Sequence, residues 1–226
     1  MHLPELEWQI LYGRLAWAVV MAAAFAALLP QAWRARVLVA GLLVVSAALM
    51  ALPHDASPAY WLVLAFQWPS GMLVGCCLLR LALRKPQSRA LPVTLAAPVA
   101  LAGAVLYLDA MGWLAFGLYY AGFDAQGAPI IAMGLALACL LAIAHGRMRD
   151  QSIVLLGAVA LYSIARLPTG NLWDALLDPL LWGWAVASLC VTGVRAYRRR
   201  RDPDAPLSDE RGSKQFHFQG VASGSE

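Results

Sequence analysis

Charge is scarce in this sequence. Only 13% of its 226 residues are Asp, Glu, Lys or Arg, 61% are hydrophobic, and the mean hydropathy is +0.64. A soluble domain carries about 25% charged and 45–50% apolar residues, so the shortage excludes a soluble globular domain and points to an integral membrane protein. Cysteine is limited to Cys76, Cys77, Cys139 and Cys190, all inside apolar segments and without C-x-x-C or Cys/His ligand spacing. That leaves little support for a disulfide framework, a zinc site or thiol-redox chemistry, and favours buried thiols that pack as small hydrophobes. The four histidines are His2, His54, His145 and His217. No two of them sit on helices as an axial heme pair would, which excludes a membrane cytochrome. The adjacent His54-Asp55 reads as loop capping, since neighbouring side chains point apart and no second histidine stands near. Lysine is reduced to Lys85 and Lys214 against fifteen arginines, and asparagine to Asn171 alone. The excess of Arg, Ala and Leu fits a GC-rich bacterial genome.

What the sequence has is long apolar runs. A membrane crossing takes about 20 apolar residues, with a range near 17–25. Seven runs are candidates, the second and sixth slightly short at sixteen residues: Leu11–Leu29, Val37–Leu52, Tyr60–Leu83, Pro92–Leu108, Gly127–Ala144, Ser152–Leu167 and Leu172–Val194. The second and sixth end at Leu52-Pro53 and Leu167-Pro168, as expected because a residue before proline resists the helical region. The stretch WLAFGLYYAGFDAQGAP after the fourth run is short and broken by glycine. It reads as an interfacial segment with Trp113, Tyr119 and Tyr120 at headgroup depth. The expected fold is therefore all-α, a seven-helix transmembrane domain over residues 1–200.

Basic residues orient the bundle. Thirteen of them fall in alternate loops: Arg34 and Arg36; Arg80, Arg84, Lys85 and Arg89; Arg147 and Arg149; Arg195 and Arg198 to Arg201. The opposite ends hold only Arg14 and Arg166. Positive residues mark the cytoplasmic side, so the N-terminus is expected outside and the C-terminus inside a bacterial inner membrane. The charge of +4 is thus a topology signal, and nucleic acid is not expected as a partner. Acidic residues sort to the outer ends (Glu5, Glu7, Asp55, Asp109, Asp124, Asp174 and Asp178) with only Asp150 in an inner loop, although positive-inside sorting does not require this.

The leading MHLPELEW is acidic where a signal peptide carries positive charge, so the first apolar run is expected to be retained. After Arg201 the chain becomes polar and Gly/Ser-rich and is expected to be a disordered cytoplasmic tail. Its last part, GSKQFHFQGVASGSE, has the look of a cloning-derived addition. A duplication is also legible. Residues 37–61 and 153–173 share an apolar helix, Leu-Pro, a polar turn and then Trp61 or Trp173. Pro69 and Pro179 follow inside the next helix, and Cys77 and Cys190 precede a basic cluster. This gives a 3+1+3 arrangement of the kind from which transporters are commonly built.

The residues able to carry chemistry concentrate near the last helix. Asn171, Asp174 and Asp178 are spaced by three and four, so on one helix they share a face. Pro179 would free a backbone carbonyl beside them. Carboxylates and a carbonyl are hard oxygen ligands suited to a cation or proton. Helix-start chemistry accounts for Asn171 or Thr169 as N-cap and Asp174 in the first turn, but not for Asp178. Structural pairing of Asp178 with Arg166 is the competing expectation. Arg166 and Arg14 either snorkel or neutralise Asp178 and Asp109. Gln67, just before Trp68-Pro69-Ser70-Gly71, marks a kink tolerable only where protein or water re-satisfies the backbone, with Ser70 and Gly71 read as small-residue packing.

Pro30-Gln31 at the inner end of the first run resembles the PQ-loop transporter motif, but the matching point of the second half reads AIAHGRMRD. Microbial rhodopsins share the topology, yet their Schiff-base lysine has no counterpart in the last run. The carboxylate pair resembles half of the magnesium motif of membrane prenyltransferases, without its spacing or its second copy, and WPSGM does not supply an intramembrane protease elbow. No family is identified. The expectation is a small transporter or permease with an outer-side polar site at Asp178, Asp174, Asn171, Arg166, Arg14, Gln67 and Asp109. The alternative is an assembly factor or accessory subunit docking a membrane or periplasmic partner or a second copy. A weaker alternative is an enzyme using the outer carboxylates. No particular cofactor or metal is implied.

Overall fold

The computed structural model of the chain describes residues 5–30, 36–82, 91–146 and 148–201, without the side chain of Arg199. Among the described residues all regular structure is helical. The α-helices are α1 (Leu6–Leu28), α2 (Arg36–Met50), α3 (Pro58–Phe66), α4 (Gly71–Ala82), α5 (Val93–Ala110), α6 (Leu118–Ala121), α7 (Gly127–Ala144), α8 (Arg149–Ala165), α9 (Leu172–Leu176) and α10 (Pro179–Arg201), with a 3-10 turn at His54–Ala56. Four are long and apolar enough to cross a membrane: Leu6–Leu28, Val93–Ala110, Gly127–Ala144 and Pro179–Arg198. α2 and α8 stop at Met50 and Ala165, each three positions before a proline, Pro53 and Pro168, which respects the backbone restriction that proline imposes upstream.

Two of the expected runs are not single helices. The run expected over Tyr60–Leu83 splits into α3 and α4 around Pro69, and that over Leu172–Val194 splits into α9 and α10 before Pro179. Proline lacks an N–H, clashes with the preceding turn and pushes the residue before it into extended backbone. At the first break Gln67 turns to φ 62°, ψ −150°; at the second Leu177 is extended at φ −141°, ψ 134°. Each chain then restarts a helix with a side-chain cap. Ser70 Oγ accepts the Leu73 N–H at 3.1 Å, and Asp178 Oδ1 accepts the Leu181 N–H at 2.8 Å. Pro179 sits at the first position of α10, where a missing N–H costs nothing and the fixed φ is already helical.

Residues 1–189 form one compact unit. Its core is built on small side chains: Ala22, Ala96, Ala128, Ala175 and Ala185 are fully buried, letting helix backbones approach closely. α8 packs on α4 and α7, and α1 on α2 and α4. Large apolar side chains face outward instead, among them Val37, Leu64, Leu101, Ile130 and Ile164. Small residues inside and large apolar ones outside is the packing of a bundle whose solvent is lipid. Hydrogen bonds tie helix ends together. Gln9 Nε2 at the start of α1 donates to the Pro168 carbonyl beyond α8 at 2.8 Å, and the Leu91 N–H before α5 donates to Ser188 Oγ in α10 at 2.9 Å.

The second unit covers residues 190–226, of which 190–201 are described. They are helical and carry the exposed Arg195, Arg198, Arg200 and Arg201. Cys190 is exposed, unlike Cys76, Cys77 and Cys139, so the expectation of a buried thiol fails there. The expected tail after Arg201 lies outside the described residues, as do Arg34, Arg84, Lys85, Arg89 and Arg147.

Candidate functional site

The two helix breaks meet. Asp178 is almost fully buried, and its second oxygen, Oδ2, accepts the backbone N–H of Ser70 at 2.8 Å. One carboxylate therefore serves the start of its own helix α10 and the start of α4. Both starts carry the partial positive charge of a helix N-terminus, which is what allows an unpaired carboxylate to stay in an apolar surround. The broken segment is held from α1: Tyr12 OH donates to the Pro69 carbonyl at 2.7 Å and Trp17 Nε1 to the Gln67 carbonyl at 3.2 Å. Gly13 makes room for the ring between them, since a Cβ there would lie 1.8 Å from Trp68.

A cavity of about 310 Å³ opens beside this junction, lined by Gln67, Trp68, Tyr107, Tyr119, Thr169, Asp174 and Asp178 among others. Asp174, half-buried, accepts from Thr169 Oγ1 at 2.5 Å and from Tyr119 OH at 3.2 Å. Burial pushes its carboxyl above the usual range, while the two hydroxyl donors oppose that rise. The Tyr119 phenol is pushed up to about 12, by burial first and by the neighbouring Asp174 charge second. Tyr107, whose ring stands edge-on to Trp182 at 5.5 Å, has a buried hydroxyl without a hydrogen-bond partner among the described residues. The cavity thus holds two carboxylates, two phenols, a threonine hydroxyl and the exposed amide of Gln67, and no lining cation.

The expected site divides on inspection. Asp174, Asp178 and Gln67 line one cavity; the other four do not. Asn171 is the N-cap of α9, its Oδ1 accepting the Trp173 N–H at 2.9 Å while its Nδ2 donates to the Tyr119 carbonyl at 3.3 Å. Asn171, Asp174 and Asp178 do not share a helix face, because the helix ends before Asp178. Arg166 is not paired with Asp178: it donates to Tyr162 OH at 2.5 Å and its guanidinium lies 4.9 Å from that ring. Asp109 meets no arginine either. It closes the turn after α5, accepting from the N–H groups of Phe116, Gly117 and Tyr119 at 2.9, 3.0 and 2.9 Å. Arg14 lines a separate cavity.

Asp109 still matters for the site, because its clamp fixes the segment that delivers Tyr119 to Asp174. Tyr119 is half-buried and turned to Asp174, whereas Trp113 and Tyr120 are strongly exposed. Nothing in the sequence marked Tyr107, and Tyr119 stood out only as an interfacial aromatic, not as a partner of Asp174. Ser70 and Asp178 did: Asp-Pro and Ser-Gly are helix-start dipeptides, and each was hidden inside an apolar run. No family model, curated protein or solved structure matches the chain. Among the described residues no group of three or more His, Cys, Asp or Glu could hold a metal ion.

Proposed function

We propose that this is a seven-span bacterial inner-membrane protein, N-terminus outside and C-terminus inside, acting as a small transporter with a proton- or cation-linked site in the acidic cavity. The seven crossings are α1, α2, the broken pair α3–α4, α5, α7, α8 and α10, with α6 and α9 at the outer edge. The observation that carries the transport reading is the meeting of two helix breaks at Asp178 beside a cavity with two carboxylates and no lining cation. Interrupted helices are costly in lipid and are tolerated where the freed backbone lines a cavity. Their exposed ends are the recurrent means by which transporters hold charged solutes. A side-chain cap restarts a helix beside Pro69 and beside Pro179, which supports reading the two halves as a duplication, although Ser70 follows its proline and Asp178 precedes its own.

The full chain reconstituted in liposomes with a trapped pH dye tests this. An imposed proton, sodium or potassium gradient should drive proton movement that falls at least tenfold in Asp178→Asn and Asp174→Asn. If no gradient drives movement, and the chain instead recovers one stoichiometric membrane partner, it is a docking or assembly subunit and the transport reading fails.

A further inference from the structure

A second cavity, of about 400 Å³, lies between α1, α3 and the 53–57 turn, and its character is opposite to the first. Trp68 lines both, but no carboxylate lines this one. Its walls include Tyr60, Val63 and Leu64, its rim carries His54, and its one permanent charge is Arg14. Arg14 is half-buried on a helix long and apolar enough to cross a membrane, eight residues after its start and so about 12 Å along the axis. It has no hydrogen bond or ion pair among the described residues. An arginine in an apolar span is costly unless a counter-charge meets it.

We infer that this cavity binds one anionic lipid from the surrounding leaflet, its phosphate on Arg14 and part of its acyl chain along Tyr60, Val63 and Leu64. Three observations select this occupant. The unpaired guanidinium asks for an anion, and its planar fork suits a phosphate. The walls are apolar and cannot satisfy a hydrated inorganic ion. Leu64 and Tyr60 are 65% and 48% exposed, so the cavity opens through a wall that faces lipid. This holds whether or not the acidic cavity transports anything.

The test uses the purified full chain in a neutral detergent, titrated with dioctanoyl phosphatidylglycerol, dioctanoyl phosphatidylcholine or glycerol 3-phosphate, with thermal midpoint and native mass read together. The anionic lipid should raise the midpoint by several degrees with one molecule retained, while the zwitterionic lipid and the headless phosphate should not. Arg14→Gln should weaken the effect at least about tenfold. Leu64→Trp, at an exposed position, fills the cavity while keeping the charge and should weaken it as well, so a folding failure of the first variant does not remove the test. Equal stabilisation by both lipids, an equal effect of glycerol 3-phosphate, or a wild-type response in either variant overturns the inference.

Discussion

Asp178 accepts the backbone N–H of Ser70 at 2.8 Å, 108 residues away in sequence, while its other oxygen caps α10 through Leu181 at 2.8 Å. Both oxygens are spent on N–H donors that have no other partner in a helix start. A single carboxylate thereby joins the two interrupted helices and sets the floor of the acidic cavity.

Asp178→Asn keeps the volume but turns an amide NH₂ toward one of the two N–H donors. Leaving a buried donor unsatisfied costs about 1–3 kcal/mol, so the thermal midpoint should drop clearly. Neutralising Arg166 as well should restore nothing, because the two are not paired. Recovery in the double variant Arg166→Gln/Asp178→Asn would contradict the geometry.

Ser70→Ala removes only the matching cap of α4, a loss of about 1 kcal/mol. It leaves the N–H that Asp178 uses. The variant should purify, unfold slightly earlier and keep the cavity, so its effect on stability should be smaller than that of Asp178→Asn.

Burial raises the Asp174 pKa above its unfolded value. The native state then holds the proton more tightly than the unfolded chain, so this contribution is fully present below the ordinary carboxylate pKa, about 3.9, and is lost as pH rises through the folded value. Asp174→Asn cannot ionise. Its thermal midpoint relative to wild type should therefore climb as pH increases across that window, and a flat or falling difference would refute the raised pKa.

Gly122 is packed against the start of α9: a Cβ there would sit 1.8 Å from Asn171 Oδ1 and 2.5 Å from the Trp173 ring. Gly122→Ala should displace the cap and the Leu172 N–H to Gly122 carbonyl bond, 3.0 Å in length, changing tryptophan emission and lowering the midpoint. Gly134→Ala, which meets open space, is the matched control and should be neutral or mildly stabilising as helix propensity predicts.

The orientation is checked separately. A cytoplasmic reporter fused after the C-terminus should be active and alkaline phosphatase at the same place inactive; the reverse pattern removes the N-out, C-in arrangement.

The sequence alone determined the helical class and the places where most helices lie. Gly127–Ala144 begins and ends where the apolar run does, because in such a run hydropathy and propensity agree and nothing competes. The Leu-Pro stops of α2 and α8 were readable for the same reason: proline acts on its immediate neighbours. The cap at Asn171 was legible from residue type and position.

Tertiary structure decided what the polar residues do. Asp178 looks like a charge two turns into a helix until the chain breaks at Leu177, and only a fold that brings Ser70 opposite makes that break affordable. Arg166 and Asp109 have formal opposite charges and no encounter, because nearer hydroxyl and backbone partners satisfy each first. Tyr119 reaches Asp174 through a turn that Asp109 closes. These pairings depend on distances across the bundle, and local spacing carries no record of them.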